Sequence, residues 1–152
     1  MEYEFNINSL DELQNIAKLF AKNLEKTDII ALNGSLGTGK TSFSRFLIQA
    51  IANDDLTVSS PTFNILNIYN LDDIDIYHYD LYRIENENDI YELAIDDAMT
   101  YGITIIEWPD IMKNQLPEKT IYFNINIANE DNDNERHVSI SSLKRNLDFL
   151  DN

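Results

Sequence analysis

Apolar positions divide the chain into short segments of two kinds. Glu2 to Ile7 alternates polar and apolar residues and reads as a first strand. Ser9 and Glu12 then form a capping-box pair, with Ser9 as N-cap. The helix they open is expected to run to about Lys26, with Leu10, Leu13, Ile16, Ala17, Phe20 and Leu24 as its apolar stripe. Asp28 to Asn33 is a compact apolar run and predicts a buried strand. A glycine-rich turn follows from Gly34 to Thr41, and Ser42 to Ala52 has helical spacing at Phe43, Phe46, Leu47 and Ala50. Val58 to Tyr69 joins a Ser-Ser-Pro-Thr loop to a strand-like stretch. Ile74 to Leu81 reads as a further strand, and acidic Glu85 to Tyr101 as helical in part. Gly102 to Ile106 is β-branched and apolar throughout, as expected of a strand covered on both faces.

Near the end, Ile121, Phe123, Ile125 and Ile127 alternate with polar residues, as do Val138 and Ile140. Asn129 to Glu135 between them is an acidic turn. This pattern predicts a hairpin with one wet face at the edge of the sheet. Leu143 to Asn152 reads as a short polar tail. The order of elements predicts an α/β three-layer sandwich with a mostly parallel central sheet and antiparallel edge strands. No repeat, linker or composition break divides residues 1–152, so a single domain is expected.

One segment carries chemistry by itself. Gly34-Ser-Leu-Gly-Thr-Gly-Lys-Thr41 matches G-x-x-x-x-G-K-[ST] in full. Its glycines let successive main-chain N–H groups turn inward as a nest for phosphate oxygens. The helix that follows adds the positive end of its dipole. Lys40 supplies a point charge for the β- and γ-phosphates, and Thr41 a hydroxyl for Mg²⁺. A random chain of this length carries the pattern about 0.5% of the time. A predicted strand before it and a helix after it make accident rarer still, and assign the P-loop NTPase type of sandwich. An Asn-Lys-x-Asp guanine-reading motif is absent, which favours ATP over GTP.

Phosphoryl chemistry also needs acids near the metal and the attacking oxygen. Two stand at predicted strand ends. Glu107 directly follows Ile106, and Asp80 closes Ile74 to Tyr79. In a doubly wound sheet those carboxyl ends face the ligand crevice. Thr62, in the loop after the phosphate-loop helix, resembles a first switch that senses Mg²⁺ and γ-phosphate. His78 shares a strand face with Asp80 and is read mainly as a structural histidine.

Composition narrows the setting. With 11 basic and 27 acidic residues the net charge is −16, which opposes unaided tRNA binding. Any work on nucleic acid is expected to pass through a more basic partner. The chain has no cysteine, so disulfides and thiol chemistry are out. It shows neither a signal-peptide pattern nor an apolar run of membrane-spanning length, so a cytoplasmic location without membrane contact is expected.

Four motifs in order resemble the TsaE family. They are the phosphate loop Gly34–Thr41, Ser60-Pro-Thr-Phe63, His78-Tyr-Asp-Leu-Tyr-Arg83 and Ile106-Glu-Trp-Pro109. The resemblance runs roughly from Ile30 to Pro117. It implies a bacterial ATPase that works with TsaB and TsaD to place threonylcarbamoyl on a tRNA adenosine. Its part is to reset that pair by hydrolysing Mg-ATP. By matching position, Gly34, Ser35, Leu36, Gly37, Thr38, Gly39, Lys40, Thr41 and Ser42 cradle the nucleotide. Thr41, Glu107, Asp80 and Thr62 serve the metal and γ-phosphate side. Glu107, Asp80 and Lys40 are the implied catalytic groups, and which acid takes metal and which water stays open. Trp108 is expected beside the nucleotide, with Asp110 and Arg136 near it. Ser35 departs from the family's usual Asp, and the segment Glu92-Leu-Ala-Ile-Asp96 lacks its usual Leu-Gly. Two other readings of the phosphate loop stand beside this one: a small nucleoside or metabolite kinase, and a nucleotide-binding adaptor without catalysis.

Overall fold

The computed structural model describes residues 1–53 and 55–151. Among the described residues seven strands form one sheet. They are β1 (Glu2–Ile7), β2 (Ile29–Asn33), β3 (Leu66–Asn70), β4 (Asp75–Asp80), β5 (Ile103–Glu107), β6 (Ile121–Ile127) and β7 (Arg136–Ser141), in the order β1-β7-β6-β2-β5-β4-β3. The central pairs β6–β2, β2–β5 and β5–β4 are parallel, whereas β1, β7 and β3 join antiparallel. Helices α1 (Leu10–Asn23), α2 (Lys40–Ala52), α3 (Glu87–Tyr91) and α4 (Ile95–Tyr101) complete the sandwich.

Strand alternation sorts the core into two layers. Ile30, Leu32, Ile76, Ile103 and Ile105 pack with Leu13, Ala17 and Phe20 of α1 and with Phe43 and Leu47 of α2. The alternate residues Ile29, Tyr79 and Ile106 pack with Ile90, Ile95, Ala98 and Met99 beneath α3 and α4. Three rings tie the first layer together. Phe43 stacks on Phe123 at 4.1 Å, and Phe20 meets Phe43 edge-on at 5.7 Å. Such pairs add about 0.5–1.5 kcal/mol beyond their buried area.

Three expectations need correction. The hairpin of β6 and β7 is inside the sheet, because β6 pairs with β2 and β7 is covered by β1. The first strand returns as the true edge, a non-local pairing that alternation along the chain does not encode. Helix α1 stops at Asn23, where the Leu24 N–H bonds the Phe20 carbonyl and the backbone turns extended. The tail is not merely polar: Leu147 is fully buried, and Arg145 donates through Nε to both oxygens of buried Asp28 at 3.0 and 3.1 Å. Its last residue, Asn152, lies outside the described residues.

Candidate nucleotide site

The two long helices begin differently. The Ser9 hydroxyl accepts the Glu12 N–H at 3.2 Å, and the Glu12 carboxylate reaches back to the Asn8 N–H at 2.7 Å. The first of these contacts satisfies one N–H of the first turn of α1, and the second ties Glu12 back to the chain before the cap. Helix α2 starts after Gly39 with no side-chain cap. Its first N–H groups are therefore free to meet an anion. Glycine is required at the base of this loop. At Gly34 (φ 153°) an added Cβ would lie 2.2 Å from the Ile125 carbonyl oxygen and 2.6 Å from Thr38 Oγ1.

Lys40 is almost fully buried. Its ammonium donates to the Gly34 and Ser35 carbonyls at 2.6 and 2.8 Å and lies 4.1 Å from the centre of the Trp108 ring. Burial pulls its pKa below the ordinary lysine value, while the carboxylates of Glu107 and Asp80 oppose the shift. Trp108 is placed by a left-handed backbone turn (φ 57°) directly after β5, and Tyr82 leans on its ring at 4.8 Å.

The acids follow from strand parity. Asp80 and Glu107 are register partners across β4 and β5. Both share the face of Ile76, Ile103 and Ile105, the face that α2 covers. Glu107 is 1% exposed; its Oε1 accepts the Thr41 hydroxyl at 2.9 Å, and its Oε2 lies 2.6 Å from His78 Nε2. Asp80 accepts the Thr62 hydroxyl at 3.1 Å and the Tyr82 N–H at 3.0 Å. Thr62 is held in turn by Ser60 at 2.5 Å.

A cleft of about 230 Å³ is lined by Leu36, Gly37, Gly39, Lys40, Thr41, Ser42, Thr62, Asp80, Glu107 and Trp108. Gly34, Ser35 and Thr38 complete the loop beneath or behind it, Thr38 through a bond from its hydroxyl to the Ser35 carbonyl. Asp110 is exposed on the short 3-10 turn Pro109–Met112, beyond the cleft. Arg136 lies on the other side of the loop, where its Nε donates to the Thr38 carbonyl at 3.0 Å. It borders a separate depression with Asn8, Ser9, Leu10 and Asn134. The β1–α1 turn was not singled out from the sequence, and its Ser9-to-Glu12 cap signals only a helix start. Among the described residues no arginine lines the cleft. Arg45 rests over Phe46, Arg83 over Phe63, and Arg145 grips Asp28.

The donors fit Mg²⁺. Thr41, Thr62, Asp80 and Glu107 present hard oxygen atoms around a phosphate loop, and no three acids or imidazoles among the described residues form a complete cage. Mg²⁺ characteristically takes one or two carboxylates, with phosphates and water as its remaining ligands.

The family model described as "Threonylcarbamoyl adenosine biosynthesis protein TsaE" matches residues 7–138. A Rickettsia typhi protein named "tRNA threonylcarbamoyladenosine biosynthesis protein TsaE" is 42% identical over 144 residues, covering 95% of this chain and 98% of its own. A Bacillus subtilis protein of the same name is 31% identical over 141 residues, covering 92% and 85%. The crystal structure of YdiB from Bacillus subtilis superposes with a TM-score of 0.73 over 94% of this chain and 86% of its own, at 24% identity. That last likeness concerns the fold.

Proposed function

The chain belongs to the TsaE family, and on that premise we propose that it is the subunit that binds and hydrolyses Mg-ATP to reset a TsaB–TsaD-type complex. The family serves threonylcarbamoyladenosine formation on tRNA and is a P-loop ATPase family. The observation that carries the reading is the contact between two distant motifs. The Thr41 hydroxyl of the phosphate loop bonds the Glu107 carboxylate across 66 residues of sequence at 2.9 Å.

The parts then divide the work. Lys40 and the uncapped start of α2 bind the β- and γ-phosphates. Thr41 and Glu107 would hold Mg²⁺, which when bound neutralises charge on the phosphate oxygens. Asp80 and Thr62 stand beside them and orient the attacking water. A cleft of about 230 Å³ is smaller than the roughly 300–1,000 Å³ of whole-ligand pockets. It takes the phosphate end, and the nucleoside lies over the loop toward Thr38, Arg136 and the β1–α1 turn. A kinase gathers arginines around the transferred group, and this cleft is lined by none among the described residues. With a net charge of −16, contact with tRNA runs through the more basic partners.

The test is phosphate release from ATP with the TsaB and TsaD proteins of the same organism present. Glu107→Ala is expected to slow it about 100–1,000-fold. Equal rates for variant and wild type would remove Glu107 from the chemistry and overturn the assignment.

A further inference from the structure

His78 is buried in β4 with no exposed surface. Its strand parity places it on the α2 face, one position pair behind Asp80. Nε2 approaches Glu107 Oε2 at 2.6 Å, and Nδ1 is buried with no hydrogen-bond partner among the described residues. A histidine kept only for packing gains nothing by leaving a ring nitrogen unpaired in the interior, where an unmade hydrogen bond is destabilising. The arrangement makes sense if the other nitrogen is needed at Glu107. With no acceptor near Nδ1, the ring proton belongs on Nε2, where the carboxylate accepts it.

We propose that His78 is a positioning residue, fixing the Glu107 carboxylate so that Oε1 faces Thr41 and the metal. A carboxylate on a three-bond stem otherwise turns freely about its last torsion. A donor on Oε2 removes that freedom and leaves one oxygen aimed at the helix start. Thr41 and His78 thereby hold the two oxygens from opposite sides, one from α2 and one from β4. Groups that orient a metal-binding carboxylate in this way are typically worth about 10–100-fold in metal affinity. The inference rests on the proposed reading that Glu107 helps hold Mg²⁺.

The experiment uses the full chain, ADP and MgCl₂, and follows the fluorescence of Trp108, the single tryptophan. For each variant the ADP affinity is measured without Mg²⁺, and then the Mg²⁺ concentration at half-effect. His78→Leu is expected to bind ADP without Mg²⁺ as the wild type does, but to need at least tenfold more Mg²⁺. His78→Gln carries an amide N–H near the Nε2 position and should restore the wild-type midpoint to within about threefold. His78→Asn ends short, at the Nδ1 distance, and should behave as His78→Leu. Comparing the two polar variants keeps the question answerable if His78→Leu does not fold, and thermal unfolding without nucleotide reports folding for all three. A wild-type midpoint in His78→Asn or His78→Leu overturns the proposal, as does a Gln variant shifted as far as Asn. A wild-type protein whose ADP affinity ignores Mg²⁺ overturns the metal reading of Glu107 itself and the proposal with it.

Discussion

Asp80 and Glu107 end neighbouring strands in register, yet their surroundings differ. Glu107 is gripped by two fixed elements, the first turn of α2 through Thr41 and the middle of β4 through His78. Asp80 is gripped by loop groups: the Thr62 hydroxyl and the Tyr82 main chain. The Thr62 loop carries visible strain, because Ile65 holds φ 67°, a left-handed conformation rare for a β-branched residue. Its carbonyl accepts the Asp80 N–H at 2.8 Å, so strained loop and acid are joined. The carboxylate of Glu107 is held by helix and strand groups, that of Asp80 by loop groups. An anchored acid suits a metal, whose geometry must not vary, and a loop-coupled acid suits a step that depends on γ-phosphate or partner contact.

The contrast breaks most visibly at Glu107. Glu107→Ala should abolish the Mg²⁺-dependent part of ADP binding along with the turnover loss given above. It should also lower the thermal midpoint, since it leaves Thr41 and His78 without their acceptor, at about 1–3 kcal/mol for a buried group. Asp80→Asn should slow phosphate release about 100-fold while Mg²⁺-dependent ADP binding stays close to wild type. If both variants lose metal dependence equally, the division of labour is wrong. Lys40→Ala should weaken ADP binding about 10–100-fold with or without Mg²⁺, as expected for a lost charge-assisted bond.

A smaller effect comes from pH. Lys40 titrates below its ordinary 10.5 because it is buried, and a bound polyphosphate raises its pKa again. ADP affinity is therefore full below the free-state pKa and declines as pH rises from there toward the bound-state value. A titration series on the alkaline side should show that decline for wild type and none for Lys40→Ala. The smallest expected effect serves as a control. Ala94 is exposed and holds φ 53° at the start of α4. Ala94→Gly relieves a left-handed conformation at a gain of up to about 1 kcal/mol, a rise of roughly 2–4 °C in thermal midpoint, with phosphate release unchanged.

The phosphate loop was legible because its chemistry is local: eight consecutive residues, a strand before and a helix after. The acids were legible because each ends an expected strand, Glu107 an apolar one and Asp80 a less apolar one, and strand parity puts Glu107 with Ile105 and His78 with Asp80. What the sequence withheld depends on non-local contact. It places His78 beside Asp80, but the bond to Glu107 arises from the pairing of β4 with β5, 29 residues apart along the chain. The hairpin was misplaced for the same reason, since Glu2–Ile7 alternates alike whether or not it covers β7. The burial of Leu147 is not legible because a ten-residue tail is too short to show a period, although Leu143, Leu147, Phe149 and Leu150 are apolar. The segment Glu92 to Asp96 lacks the Leu-Gly of the resemblance, and its structural counterpart is a left-handed turn at Ala94 where glycine would be unstrained.

The proposed function requires main-chain amides and Lys40 to grip the phosphates of a nucleotide beside Trp108. A titration of the wild-type chain with ADP and Mg²⁺, followed by the fluorescence of that tryptophan, tests it directly. A saturable change is expected, with its midpoint moved about 10–100-fold to higher ADP in Lys40→Ala. A flat response from folded wild-type protein, or a midpoint unmoved in Lys40→Ala, would contradict it.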